Sequence, residues 1–186
     1  VLPVVLARGH APMHPSDTVG RGKAIPVNGR TSYGIFSADR FPQIQTAEGG
    51  LSEAIGVLTR MRELAVQASN EGTMDTTERG YLAQEYALLE SELNRIVAVT
   101  EFNGQKLING DISTGVSFQV GMRNTSSDRI SLTLTNVDAT QLSINDDTLA
   151  TSSNAQAAIT ALDTAIQTLN TQRGSLGATQ NRLTMS

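Results

Sequence analysis

The sequence has neither cysteine nor tryptophan. Without cysteine there is no disulfide framework, no thiol nucleophile and no Cys-type zinc site, while the redox compartment is left open. Aromatic residues make up only 4% of the 186 positions, so the core must be mostly aliphatic. That suits long, thin helices better than a compact body around a deep pocket. The net charge of −4 offers no basic face to nucleic acid and no acidity strong enough to imply disorder. No apolar run approaches the ~18 residues of a membrane span, so no membrane partner is expected. The opening Val1-Leu-Pro-Val-Val-Leu-Ala7 is short, broken by Pro3 and has no basic leader, and reads as a poor signal peptide. The length accommodates one domain or two small ones.

What is present divides near residue 43. All five prolines (Pro3, Pro12, Pro15, Pro26 and Pro42) and both histidines lie before that point. Five basic residues against two acidic ones give residues 1–43 a charge of +3, leaving −7 for the remainder. Glycines punctuate this segment and no helical or alternating period survives in it. It reads as extended or disordered, with a short strand expected at Ser32–Phe36. Phe41-Pro42 marks a break, since proline disfavours a helix before it and suits a helix's first turn.

From Ile44 onward one apolar seam dominates: Ile44, Ala47, Leu51, Ala54, Leu58, Met61, Ala65 and Ala68. The spacing alternates between three and four, the signature of a helix that lies against another helix. Half of these residues are alanine, which lets backbones approach closely. The helix is expected over about 43–70, with Gly49-Gly50 costing roughly 1 kcal/mol each in its interior. Such a pair implies close approach of another segment, or a kink. Asn70-Glu-Gly72 is a stop, Thr73–Thr77 a turn, and Asp75-Thr-Thr-Glu78 has capping-box spacing. A second helix then runs over about 77–100 with a seam of Leu82, Tyr86, Leu89, Leu93 and Ile96. The short connection makes an antiparallel helical hairpin the natural arrangement.

The period then changes to two. Val116, Phe118, Val120 and Met122 alternate with small or polar residues, as do Ile130, Leu132 and Leu134, and Arg123–Arg129 is a polar loop between them. This predicts one β-hairpin over about 116–134 with one buried face, flanked by turns at Asn109-Gly-Asp111 and Asn145-Asp-Asp147. A third helix over about 153–186 opens at Ser153, with Gln156 as capping partner. Its seam is Ala155, Ala158, Leu162, Ala165, Leu169, Gln172, Leu176, Thr179 and Leu183, widened by Ile159 and Ile166 to face two neighbours. The heptad is still in phase at Ser186 and reads as cut. The predicted fold class is mainly α: a rod-like antiparallel helical bundle or coiled coil with one β-hairpin.

Sites for chemistry are scarce. His10 and His14 have the spacing of two metal ligands on a helix turn, but Pro12 stands between them and no third ligand is near. Glu90 and Glu92 point apart on a helix and read as a solvated face. Gly20-Arg-Gly22 lacks the strand-before, helix-after setting of a phosphate loop. No Ser-His-acid arrangement can be placed. No catalytic, cofactor-binding or metal site is expected, and an enzyme is disfavoured.

Four words in order resemble the bacterial flagellins: Ile44-Gln-Thr-Ala-Glu-Gly49, Met61-Arg-Glu-Leu-Ala-Val-Gln67, Glu101-Phe-Asn-Gly-Gln-Lys-Leu107 and Arg173-Gly-Ser-Leu-Gly-Ala-Thr-Gln-Asn-Arg182. The resemblance covers residues 44–186 and implies the flagellin core: two helices, a β-hairpin and a third helix returning along them. Variable outer domains would fall between the hairpin and the third helix. Val137–Ser152 leaves no room for them, so the chain resembles a short, minimal flagellin. Residues 1–43 hold nothing like the long apolar helix that begins flagellins, and the partner helix beyond Ser186 is missing. The expectation is therefore a flagellin truncated at both ends, with a frameshifted or chimeric N-terminus, that does not polymerise alone.

The resemblance implies a structural subunit of the extracellular flagellar filament, with no cofactor, acting in motility by side-to-side helix packing. Implied partners are other flagellin subunits, an export chaperone, the cap protein and the animal Toll-like receptor for flagellin. Arg60, Leu64 and Glu85 align with positions used in that receptor's recognition. They would form a small mixed patch of exposed Arg and Leu on one helix and Glu on the next; alternatively Arg60 and Glu85 are solvated or contact the next subunit and Leu64 flanks the seam. The alternatives are a hook–filament junction protein, which shares the terminal bundle, and a coiled-coil binding module or immune-receptor ligand that never polymerises. Arg-Glu-Leu-Ala-Val-Gln and Glu-Phe-Asn-Gly favour flagellin.

Overall fold

A computed structural model describes residues 25–27, 30–32, 40–72, 74–145 and 149–185. The chain divides into two compact units, Val1–Ala38 and Asp39–Ser186. In the first, β1 (Ile25–Val27) pairs antiparallel with β2 (Arg30–Ser32) in the register Ile25↔Ser32. The strand expected at Ser32–Phe36 thus touches the described residues only at Ser32, where β2 ends. His10, His14 and the Gly20-Arg-Gly22 stretch lie outside them.

The second unit is built on α1 (Arg40–Ala68). This helix starts three residues earlier than the proline break suggests, with Pro42 in its first turn, where a missing N–H costs nothing. The Pro42 carbonyl accepts from Thr46 Oγ1 at 2.8 Å. Each of the eight seam residues from Ile44 to Ala68 is 0% exposed. The helix packs on both α2 (Thr76–Val99) and α3 (Ser152–Met185).

Side-chain pairs give the directions. Arg60 meets Glu85 of α2, and Arg79 of α2 reaches back to the Ala68 carbonyl. Arg62 meets Asp163 of α3, Glu48 meets Arg173, and Ser152 Oγ donates to the Ser69 carbonyl. In both sets the partner's number falls as the α1 number rises, so α2 and α3 both run antiparallel to α1.

The termini are closed by specific groups. Asp75 caps α2, accepting from Thr77 N and Glu78 N at 2.8 Å each, while Glu78 returns to Asp75 N at 3.0 Å. This is the capping box expected from the sequence. At the start of α3 the cap is Thr151, whose Oγ1 accepts from Asn154 N at 3.1 Å. Ser153 lies inside the helix, displaced from the expected role because Ser152 is drawn onto the end of α1 and is only 5% exposed.

Of the Gly49-Gly50 pair, Gly50 has the packing reason. A Cβ there would sit 2.6 Å from Thr100 Oγ1 and 2.7 Å from Thr100 Cγ2, whereas at Gly49 it would meet nothing within 4 Å. Thr100 follows α2, is 8% exposed and donates to the Ile96 carbonyl at 2.7 Å. The glycine therefore lets the end of α2 lie against the α1 backbone.

After α2 comes a tight hairpin the heptad reading passed over: β3 (Glu101–Phe102) pairs with β4 (Gln105–Lys106) across Asn103-Gly104. The second hairpin is the predicted one, β5 (Val116–Gln119) with β6 (Arg129–Leu132), in the register Val116↔Leu132 and Phe118↔Ile130. Phe118, Ile130, Leu132 and Leu134 are buried as expected, but Met122 is 88% exposed. Val120 N and Gly121 N both donate to the Asp128 carbonyl, at 2.8 and 3.1 Å. Two residues opposite one form a bulge, which ends the alternation before Met122. The segment 133–149 carries no regular element across its described residues, yet buries Leu134, Val137, Ala139, Leu142, Ile144 and Leu149 against the helices. Of the turn expected at Asn145–Asp147, only Asn145 lies within the described residues.

Gly50→Ala is expected to destabilise the fold by about 1–3 kcal/mol through overpacking against Thr100. Gly49→Ala is expected to stabilise it by up to about 1 kcal/mol through helix propensity. Urea unfolding of the two variants checks the contrast. Equal responses would contradict the close approach at Gly50.

Candidate interaction surface

The outer faces of α1 and α2 meet at an ion-pair cluster. Arg60 donates to Glu85 Oε1 from Nε at 3.1 Å and from a terminal nitrogen at 2.7 Å, and to Glu63 Oε2 at 3.1 Å. Hydrogen bonds to Glu85, then to Glu63, hold the Arg60 guanidinium above its usual range. Both side chains remain open to water, at 51% for Arg60 and 44% for Glu85, so the pair orients the surface more than it stabilises it.

Leu64 is not part of that surface. Expected as an exposed leucine beside Arg60, it is 1% exposed and belongs to the core. The cause is that α1 has two neighbours: a helix serving both buries a wider stripe than one heptad seam, and Leu64 falls within it next to Met61 and Ala65. Arg62 is likewise engaged inside the unit. Its Nε donates to Asp163 Oδ1 of α3 at 2.6 Å, and that hydrogen bond raises its guanidinium above the ordinary value. On α2, Arg95 clasps Glu92 one turn away with bonds of 2.7 and 2.6 Å, which lowers the Glu92 carboxyl. A lowered carboxyl favours the fold above the ordinary glutamate range, and that contribution fades as pH falls through the folded-state value.

An apolar stripe lies along the outside of α2 and was not evident from the buried seam. Tyr81, Leu88 and Val99 are 67%, 72% and 54% exposed. Their spacings of seven and eleven correspond closely to two and three helical turns, so all three line one face.

Concave sites are slight. Among the described residues, an open groove of ≈ 430 Å³ is lined by Asn94, Lys106, Asn109, Asn136 and Asp138, with Val97, Ala98 and Thr140. Another of ≈ 420 Å³ between 135–143 and α3 has no ionisable lining residue. Among the described residues there is also no group of three or more His, Asp or Glu suited to a metal ion, and no helix long and apolar enough to cross a membrane.

With this geometry in view, the likeness to known proteins is specific. The family described as the bacterial flagellin N-terminal helical region matches residues 38–113. The crystal structure of Bacillus cereus flagellin superposes with a TM-score of 0.68 at 30% identity, covering 78% of this chain and 82% of that one. The chain belongs to the flagellin family. The flagellin of Halalkalibacterium halodurans is 42% identical over 149 residues, which are 79% of this chain and 53% of that protein. Bacillus subtilis flagellin is 35% identical over 177 residues, with 79% and 58% covered. The chain thus spans little more than half the length of these flagellins. The bundle with a β-hairpin implied by the resemblance is the fold observed.

Leu64→Ala is expected to cost about 2–5 kcal/mol by leaving a core cavity. Arg60→Ala is expected to leave the unfolding midpoint nearly unchanged. Thermal and urea unfolding compare the two. A Leu64→Ala protein as stable as the parent would contradict the burial.

Proposed function

We propose that the second unit is the core of a structural subunit of the bacterial flagellar filament, exported to the cell exterior, and that it acts by side-to-side helix packing without catalysis or cofactor. Residues 39–186 carry this role, the family match beginning at residue 38 rather than at the change of composition near residue 43. The observation that carries the reading is the division of the helix faces. The apolar seams of α1 and α3 are spent inside the unit, while α2 turns Tyr81, Leu88 and Val99 outward beside the Arg60–Glu85 cluster. An exposed apolar stripe next to charged residues suits contact with further copies of the same fold.

Partners beyond the homopolymer follow from the same reading. An export chaperone and the cap protein would meet the chain before and during assembly. The animal Toll-like receptor for flagellin would meet Arg60 of α1 and Glu85 of α2 directly, with Leu64 buried beneath Arg60 in the core. Of the three residues aligned with that recognition, two are thus available for contact and one is structural.

The test replaces the matching segment of a full-length flagellin with residues 40–185 in a flagellin-null strain. Filaments are expected from the graft, and their loss from a Leu88→Glu graft that is still exported and helical. An exported graft that never forms filaments would contradict the subunit reading. Normal filaments from Leu88→Glu would remove the α2 stripe from the contact.

A further inference from the structure

We propose that Asn103-Gly104 is a site of spontaneous covalent modification, at which the asparagine deamidates to aspartate and isoaspartate. The two residues form the whole connection between β3 and β4, with φ of 50° at Asn103 and 78° at Gly104. Both are exposed. Open space surrounds Gly104, where a Cβ would meet nothing within 4 Å. Among the described residues no hydrogen bond engages the Asn103 carboxamide. The reaction needs a peptide nitrogen that can reach the side-chain carbon, and a following glycine hinders that approach least.

The step balances with water as the sole co-reactant. Gly104 N gives its proton to solvent base and bonds to Asn103 Cγ. The Cγ–NH₂ bond breaks and ammonia leaves, closing a five-membered imide. Water then opens either imide C–N bond. One opening gives aspartate; the other gives isoaspartate, whose side-chain carbon has become part of the main chain. No electrons are exchanged.

A second Asn-Gly pair in the same unit supplies the contrast. Asn109 Oδ1 accepts from Asp111 N at 3.0 Å, and a Cβ at Gly110 would lie 3.2 Å from Asn136 Cβ. Val137 N also donates to the Ile108 carbonyl beside it at 3.2 Å. That amide is held and crowded, whereas Asn103 sits at the tip of a hairpin with two residues per strand, which opens at little cost. Conversion at Asn103 would add a carboxylate at the tip of the hairpin whose strands Glu101 and Lys106 join by an ion pair. The isoaspartate product would also lengthen the turn and disturb the Glu101↔Lys106 register.

The whole chain would be incubated in mildly alkaline buffer, once folded and once in concentrated urea. Peptide mass spectrometry with enzymatic isoaspartate methylation maps each site. In the folded chain, conversion at Asn103 is expected to outpace Asn109 several-fold. In urea, where both are unfolded asparagines followed by glycine, the two rates are expected to converge. A folded-state ratio no greater than that in urea would overturn the proposal, as would an Asn103 that stays intact while the urea sample converts.

Discussion

The second unit depends on how closely the backbone of α1 can be approached from two sides. Alanine at positions 47, 54, 65 and 68 and glycine at 50 keep that surface low. Leu51, Leu58 and Met61 fill the spaces between, and the facing seam of α3 repeats the device with Ala155, Ala158 and Ala165. Small residues alone would bury little apolar area, and large ones alone would hold the helices apart. Alternating them packs long helices at interior density without aromatic bulk, as a sequence this poor in aromatics requires.

Polar groups then fix the register that nonspecific apolar packing leaves free. Ser152 binds the end of α1, Arg79 binds the same end from α2, and Arg62–Asp163 and Glu48–Arg173 span α1 and α3. Most of these contacts are exposed and contribute little energy singly. Their value lies in excluding helices slid by a heptad, which the repeating seam would otherwise tolerate. With the interior so specified, the outer face of α2 keeps Tyr81, Leu88 and Val99 exposed, and the proposed filament contact draws on that stripe.

How much was legible follows from which signals repeat. The eight α1 seam residues, the α2 capping box and the β5–β6 pairing were readable because each is a local pattern with a fixed period or spacing. Leu64 was misplaced because its burial depends on α1 having two neighbours, a tertiary fact. Thr151 caps α3 in place of Ser153 because Ser152 bonds to Ser69, far away in sequence. Leu107, Ile108, Val137 and Ile144 are fully buried without any period, so nothing local announced them. Asn103-Gly104 is different: the pair is a strong hairpin signal, but its flanking strands of two residues each are too short to show an alternating period. The outward stripe of Tyr81, Leu88 and Val99, spaced by seven and eleven, has only three members, too few to stand out beside the longer inward seam.

Native-state hydrogen exchange, resolved by residue across 40–185, tests the central role of α1 most directly. The slowest amides are expected in 44–68 and 155–176, exchanging together through one global opening, while β3–β4 and the last turns of α3 exchange sooner. Slowest exchange in α2 or in the β5–β6 hairpin, with α1 opening independently of α3, would contradict it.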